Sequence, residues 1–269
     1  MKVTIDVVFF WISFWGYLVS FFLFAFHLAV KKRWIVVIAL STFIAGFIFL
    51  TSGIVARIAI SSRPTFATMY EFALIVSWIT SLLAIVAYGR TRSYIYTLMV
   101  SPMVVIIMVI ASFLPKNITE HLLPTLRGYW FYIHVTLAAI SEGAFLLSAG
   151  AGVYYLIIRK RDRLEDGPSL ERIEEVISRS IRFGYPLFTI GALFAGAIWA
   201  QTAWGSFWSW DPKETGSLVV WLYYTLLLHQ EFRARWRKGK LAVMSIIGFI
   251  IIIISFIGNL FFGGLHSYI

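Results

Sequence analysis

Five histidines, His27, His121, His134, His229 and His266, are the residues of this chain best suited to coordination chemistry, because there is no cysteine to offer a thiolate. Neutral imidazole donates a lone pair to a metal, and inside an apolar segment an imidazole is a functional candidate by default. Depth sorts the five. His134 lies about two turns, roughly 9 Å at 1.5 Å per residue, inside one end of a long apolar run. His266 follows the matching end of the last run, in GGLHSYI. His229 closes an apolar run and His27 ends the first one, both toward the opposite side. His121 falls in the connecting stretch PKNITEHLLPTLRGYW.

The second cluster is WGSFWSWDPKET, residues 204–215, with Trp204, Phe207, Trp208 and Trp210 in seven positions. Trp204, Phe207 and Trp208 recur at i, i+3, i+4, so a helical turn would put them on one face. Asp211 suits an N-cap, Pro212 suits the first helical position, and Glu214 three residues past Asp211 makes a box-like pattern. An interfacial aromatic belt with a capped helix is the plain account of such a stretch. A stacking platform is the functional one. Two imidazoles beside that platform and two on the far side suit a flat, apolar, iron-bearing ligand such as heme, whose iron takes axial imidazole and whose faces pack on aromatic rings. The propionates of heme want cations at the rim. Arg127, seven residues before His134, and Lys213 in the loop are the candidates, with interfacial snorkelling as the plain alternative. A zinc site would want carboxylate or thiolate neighbours at short spacing, and the sequence offers none. Glu142, mid-run in AISEGAF, is expected to pair with a neighbour or to relay protons.

The elements that position these groups follow from composition. The 269 residues are 60% hydrophobic and only 13% charged, against about 25% charged in an average soluble domain. The expected class is an all-α, polytopic transmembrane helical bundle of about eight spans near 6–30, 34–60, 69–89, 93–114, 128–158, 183–203, 215–231 and 241–262. The second and fifth are long enough to tilt or to extend beyond the bilayer. The first run is too long, and lacks the small-residue pattern, for a cleavable signal peptide. Lys31, Lys32, Arg33, Arg90, Arg92 and the basic stretches 159–182 and 233–240 hold most of the 23 Lys and Arg and fall on one side. The positive-inside rule makes that side cytoplasmic and puts both termini and the tryptophan loop outside. The formal charge of +10 is thereby read as topology rather than as nucleic-acid binding. Residues 159–183 read as a short, solvated surface helix leading into the sixth span.

These residues carry a resemblance. WGSFWSWDPKET resembles the WWD signature of heme-handling proteins, and TMYEFALIVSW, LRGYWFYIHVTLAAISEGAFLLSAGAGVYYLI, WLYYTLLLHQEFR and FIGNLFFGGLHSYI are similar to the CcsA (ResC) family of system II cytochrome c biogenesis. The likeness divides the chain into a two-span segment, 1–60, and a CcsA-like heme-handling core, 61–269. It implies a cytochrome c synthase subunit in the cytoplasmic or thylakoid membrane, with a CcsB/ResB-like membrane partner, a thioredoxin-like thiol reductant pathway, and apocytochrome c as client. Heme b would be carried to the outer face and joined there to a CxxCH motif. The likeness also implies that His134 and His266 are the outer axial ligands and that His229 belongs to an inner heme site. Depth alone adds His27 to that inner site, whereas the family comparison draws its second histidine from the partner. Some relatives carry tryptophan after DPKET; here the residue is Gly216. Of the two outer ligands, His266 is expected to yield to the client's histidine, because it hangs on a permissive diglycine.

Two other readings remain open from the residues. One is a heme exporter or chaperone of the CcmC type, against which His229 and the GGLHSY terminus argue. The other is a di-heme b-type electron-transfer subunit, which would favour four histidines on two facing helices rather than on four spans.

Overall fold

The computed structural model describes residues 4–118, 124–160, 168–232, 239–262 and 264–265. Helix is the only regular structure among them, as the near-continuous apolar runs require: backbone N–H and C=O groups in lipid must be satisfied within their own segment. By packing, the chain forms two compact units, residues 1–121 and 122–269.

In the first unit α1 (Ile5–Val30) lies along α2 (Arg33–Ser61), and α3 (Met69–Thr91) packs on α4 (Ile95–Phe113). Small hydroxyls join the first pair: Ser13 Oγ donates to Gly46 O and Ser20 Oγ to Ala39 O, each at 2.8 Å. Arg57, wholly buried on α2, donates to Asp6 at 2.9 Å and to Glu71 at 2.8 Å. Arg63 binds the same Glu71 carboxylate at 2.9 and 3.0 Å. These four charges sum to zero, which is what makes their burial tolerable.

In the second unit a 3₁₀ turn, Pro124–Arg127, leads into α5 (Tyr129–Arg159), which packs on α6 (Leu170–Phe188) and on α9 (Lys240–Phe262). Ser169 caps α6 by accepting the Arg172 N–H, so the expected surface helix is present. It does not stop before the sixth span. It runs on through a π-helical segment, Thr189–Ala195, into α7 (Gly196–Trp204), a continuous path of 35 residues. α8 (Pro212–Phe232) follows the tryptophan loop and packs on α9. Phe145 of α5 stacks on Tyr224 of α8 with centroids 3.8 Å apart, at the centre of the unit.

Seven paths among the described residues are long and apolar enough to cross a membrane: α1 to α5, the joined α6–α7, and α9. α2 and α5, of 29 and 31 residues, are long, as expected, and the joined α6–α7 path of 35 residues is longer still. α8, the seventh expected span, is not among these paths; its 21 residues include Lys213, Glu214, His229, Gln230 and Glu231.

Candidate functional site

The tryptophan loop is held at both ends by local chemistry. α7 ends at Trp204 because Gly205 takes φ +79°, a left-handed C-cap whose N–H bonds to Gln201 O. α8 begins at Pro212 because Asp211 accepts the Lys213 N–H at 3.1 Å, while Glu214 reaches back to the N–H of Asp211 at 3.4 Å and of Ser209 at 2.7 Å. The box read from DPKET is therefore present. The helical turn expected over 204–208 is not, because the chain leaves the helix at Gly205. Trp204 turns toward α7 and meets Trp199 edge-on, with centroids 4.8 Å apart. Trp208 meets Trp210 at 5.7 Å and 89°. Trp210 has φ +58°, a conformation costing a bulky residue about 1–3 kcal/mol and found mostly at functional sites. It leaves the indole 69% exposed.

His134 sits in the second turn of α5 and lines a small, partly open cleft with Gly196, Phe207, Trp208, Lys213 and Glu214. The imidazole, Phe207 and Trp208 of the loop, and the Lys213 cation line one space. Trp208 Nε1 and Glu214 Oε1 are buried there without a hydrogen-bond partner among the described residues, polar groups that a ligand would satisfy. Lys213 also interacts electrostatically with Glu142 of α5 and with Asp211.

Other expected residues fall elsewhere. Arg127 does not share a face of α5 with His134. It is exposed, on the 3₁₀ turn, and Gly128 at ψ 145° separates it from the helix. His229 is exposed on the last turn of α8. His27 belongs to the first unit, 6% exposed, with Nδ1 donating to Lys32 O at 3.2 Å and Nε2 accepting from Tyr94 Oη at 3.0 Å. Both its nitrogens are engaged, as in a hydrogen-bonded anchor. His121 and His266 lie outside the described residues.

The approach to His266 is nonetheless visible. Asp211 Oδ1 accepts the N–H of Leu265 at 2.6 Å. This carboxylate, 95% buried, so holds the start of α8 with one oxygen and the C-terminal segment with the other. A Cβ at Gly264 would stand 2.3 Å from Asp211 Oδ1 and 3.0 Å from Pro212 Cδ. Gly264→Val is expected to break the clamp. Exchange of the Leu265 amide should then rise about tenfold or more, for a charge-assisted bond of about 1.5–3 kcal/mol; unchanged protection would show that the clamp does not hold. Gly216, where some relatives have tryptophan, packs closely on α9: a Cβ there would lie 2.2 Å from Ser255 Oγ, so that hydroxyl would have to turn away.

Sequence reading missed Trp199, 1% exposed and stacked on His134 with centroids 5.8 Å apart and planes at 9°. Its only advance signal was its place five residues before Trp204. It also missed Gly191, whose carbonyl meets His134 Nδ1 at 2.9 Å.

Comparison with known proteins agrees with this architecture. Residues 66–266 match the family model described as Cytochrome C assembly protein. The cytochrome c biogenesis protein CcsA of Prochlorococcus marinus (strain NATL1A) is 34% identical over 82% of this chain and 81% of its own. That of Guillardia theta is 31% identical over 75% of each chain. That of Chlamydomonas reinhardtii is 30% identical over 75% of this chain and 60% of its own. Among solved structures, the cytochrome c heme lyase CcmF superposes with a TM-score of 0.70 at 14% identity, over 97% of this chain. This chain spans half the length of that one, and the likeness speaks to fold alone. Two-thirds or more of the chain thus matches the family model and its curated relatives, and this integral membrane protein belongs to the CcsA family of cytochrome c assembly proteins.

Proposed function

We propose that the chain is the heme-presenting subunit of a cytochrome c synthase. It takes heme b from the cytoplasmic side and carries it to the outer face. There it holds the heme for thioether attachment to the CxxCH motif of an apocytochrome c. The observation that carries this reading is the shared cleft of His134, Phe207, Trp208 and Lys213, with Asp211 hooking the residue next to His266 onto the same loop. The relatives' part in cytochrome c biogenesis supports it as well.

His134 and His266 are the proposed axial pair. Two axial imidazoles leave no open position for oxygen, which favours the reduced iron that attachment needs. Trp208, Trp204, Trp210 and Phe207 flank the macrocycle, and the buried Trp208 N–H is a donor for its polar edge. Lys213 is the better-placed propionate cation, since it lines the cleft, while Arg127 stands on the neighbouring turn. His229 serves an inner site together with a histidine of a CcsB/ResB-like partner. His27 is left out of that pair because both its nitrogens are bonded. The protein's contribution is positioning, with thiols kept reduced by a separate thioredoxin-like pathway.

A deletion strain is the direct test. Loss of all c-type cytochromes with b-type ones retained is the expected outcome, together with a bis-histidine heme spectrum for the purified chain and partner. Normal c-type cytochromes in the deletion strain would refute the reading.

A further inference from the structure

The path that ends in the tryptophan loop is not α-helical where it passes His134. In the π-helical segment Thr189–Ala195 the widened turn sends the Gly196 N–H back to the carbonyl of Gly191, five residues earlier. Pro186, which cannot donate to the preceding turn, stands just upstream. Trp221 of α8 pins the start of the segment by donating Nε1–H to Thr189 Oγ1 at 3.0 Å.

The Gly191 carbonyl receives a second donor, His134 Nδ1, at 2.9 Å. Two glycines make that approach possible. At Gly191 a Cβ would lie 2.3 Å from Leu137 Cβ and 3.0 Å from Ala138 N; at Gly196 it would lie 2.9 Å from His134 Nδ1 and 3.0 Å from Cε1. The face of the imidazole is set by Trp199, parallel to it within 9°. Trp199 is itself fixed, donating Nε1–H to Thr125 O at 2.8 Å.

A carbonyl oxygen only accepts, so Nδ1 must carry the hydrogen, and the neutral ring then keeps its lone pair on Nε2. We propose that the π segment is the device that presents His134 as an Nε2 electron-pair donor of fixed orientation. Gly191 sets the tautomer, and Gly196 and Trp199 set the plane of the ring. All three are positioning residues that touch the imidazole and not the iron. One-turn π segments recur at functional sites, and carbonyl acceptors of this kind orient metal-binding imidazoles and raise their basicity. The meaning of this for heme rests on the ligand role proposed above for His134; the tautomer itself does not.

Histidine-selective ¹⁵N labelling of the full-length, heme-free protein in detergent reads the tautomer. The signal missing in His134→Gln identifies the ring. A protonated Nδ1 and unprotonated Nε2 is the expected result, and an Nε2-protonated or tautomer-exchanging ring overturns the proposal. Gly196→Ala places its methyl against the ring rather than against backbone. It is expected to release Nδ1, to lower affinity for added heme about 10- to 100-fold, and to raise the midpoint potential of bound heme, because a less electron-rich imidazole favours the ferrous state. An unchanged tautomer and potential in that variant overturns the positioning role. Should Gly196→Ala fail to fold, the wild-type tautomer still decides. A protein that binds no heme yet shows the Nδ1–H ring upholds this inference and sinks the ligand reading; bis-histidine heme with an Nε2–H ring does the reverse.

Discussion

Replacing His134 by alanine is expected to abolish the outer heme site and with it the assembly of c-type cytochromes. The loss combines three contacts. The substitution deletes the proposed iron ligand, strips Gly191 O of a donor, and removes the ring that stacks on Trp199. Loss of a partner of a metal ligand alone costs about 10- to 100-fold in affinity, and loss of the ligand itself should exceed that. The side chain is half-buried at a cleft rather than sealed in the core, so the fold should survive. Added imidazole should rescue the spectrum, because the variant leaves a ring-sized space with an acceptor, Gly191 O, already aimed into it. Titrating heme into detergent-purified His134→Ala, with and without imidazole, checks the first part; staining for covalent heme in a complemented deletion strain checks the second. Wild-type levels of c-type cytochromes in that strain would rule out an essential ligand at this position.

How much of this was legible in the sequence varies with the range of the interaction. Spans α1 to α5 and α9 are readable because hydropathy is a local sum, and the Asp211–Glu214 box is readable because a cap is completed within four residues. The joined α6–α7 path was split in two, since the mixed charge of its first half ends the apolar run while its backbone continues unbroken. The π segment has no signature in a period of 3.6 residues, and its two glycines make sense only once Leu137 and His134 are seen against them. Phe207 and Trp208 line one cleft with His134, but the i, i+4 face that seemed to join them to Trp204 dissolved at one left-handed glycine. Asp211 and Leu265 are 54 residues apart, and no local pattern links them. Gly216, where some relatives carry tryptophan, lies against Ser255 of α9, a contact that no local pattern announces.

Glu71→Gln in α3 is expected to be the most destabilising single change in the chain, by about 3–5 kcal/mol, the usual cost of breaking a buried ion pair from one side. No local sequence pattern pairs Arg57 or Arg63 with a carboxylate. The structure makes Glu71 their common counter-ion. Its carboxylate, fully buried, accepts from Arg57 Nε, from both terminal nitrogens of Arg63, and from the N–H of Ala67 at 2.7 Å. The amide keeps the shape but loses the charge and turns one acceptor oxygen into a donor facing other donors. Among the described residues Arg57 would then keep one carboxylate, that of Asp6. The acceptors of the two guanidinium groups also include neutral carbonyls: Lys116 O and Asn117 O for Arg57, at 3.1 and 2.9 Å, and Pro64 O for Arg63, at 3.2 Å. Asp6→Asn should cost less, because Asp6 accepts one such bond and its second oxygen is buried without a partner among the described residues. Thermal unfolding in detergent orders the two variants, Glu71→Gln melting lowest. The reverse order, or a Glu71→Gln midpoint equal to wild type, would mean that the neutral carbonyls around Arg57 and Arg63, and not the shared carboxylate, balance their charge.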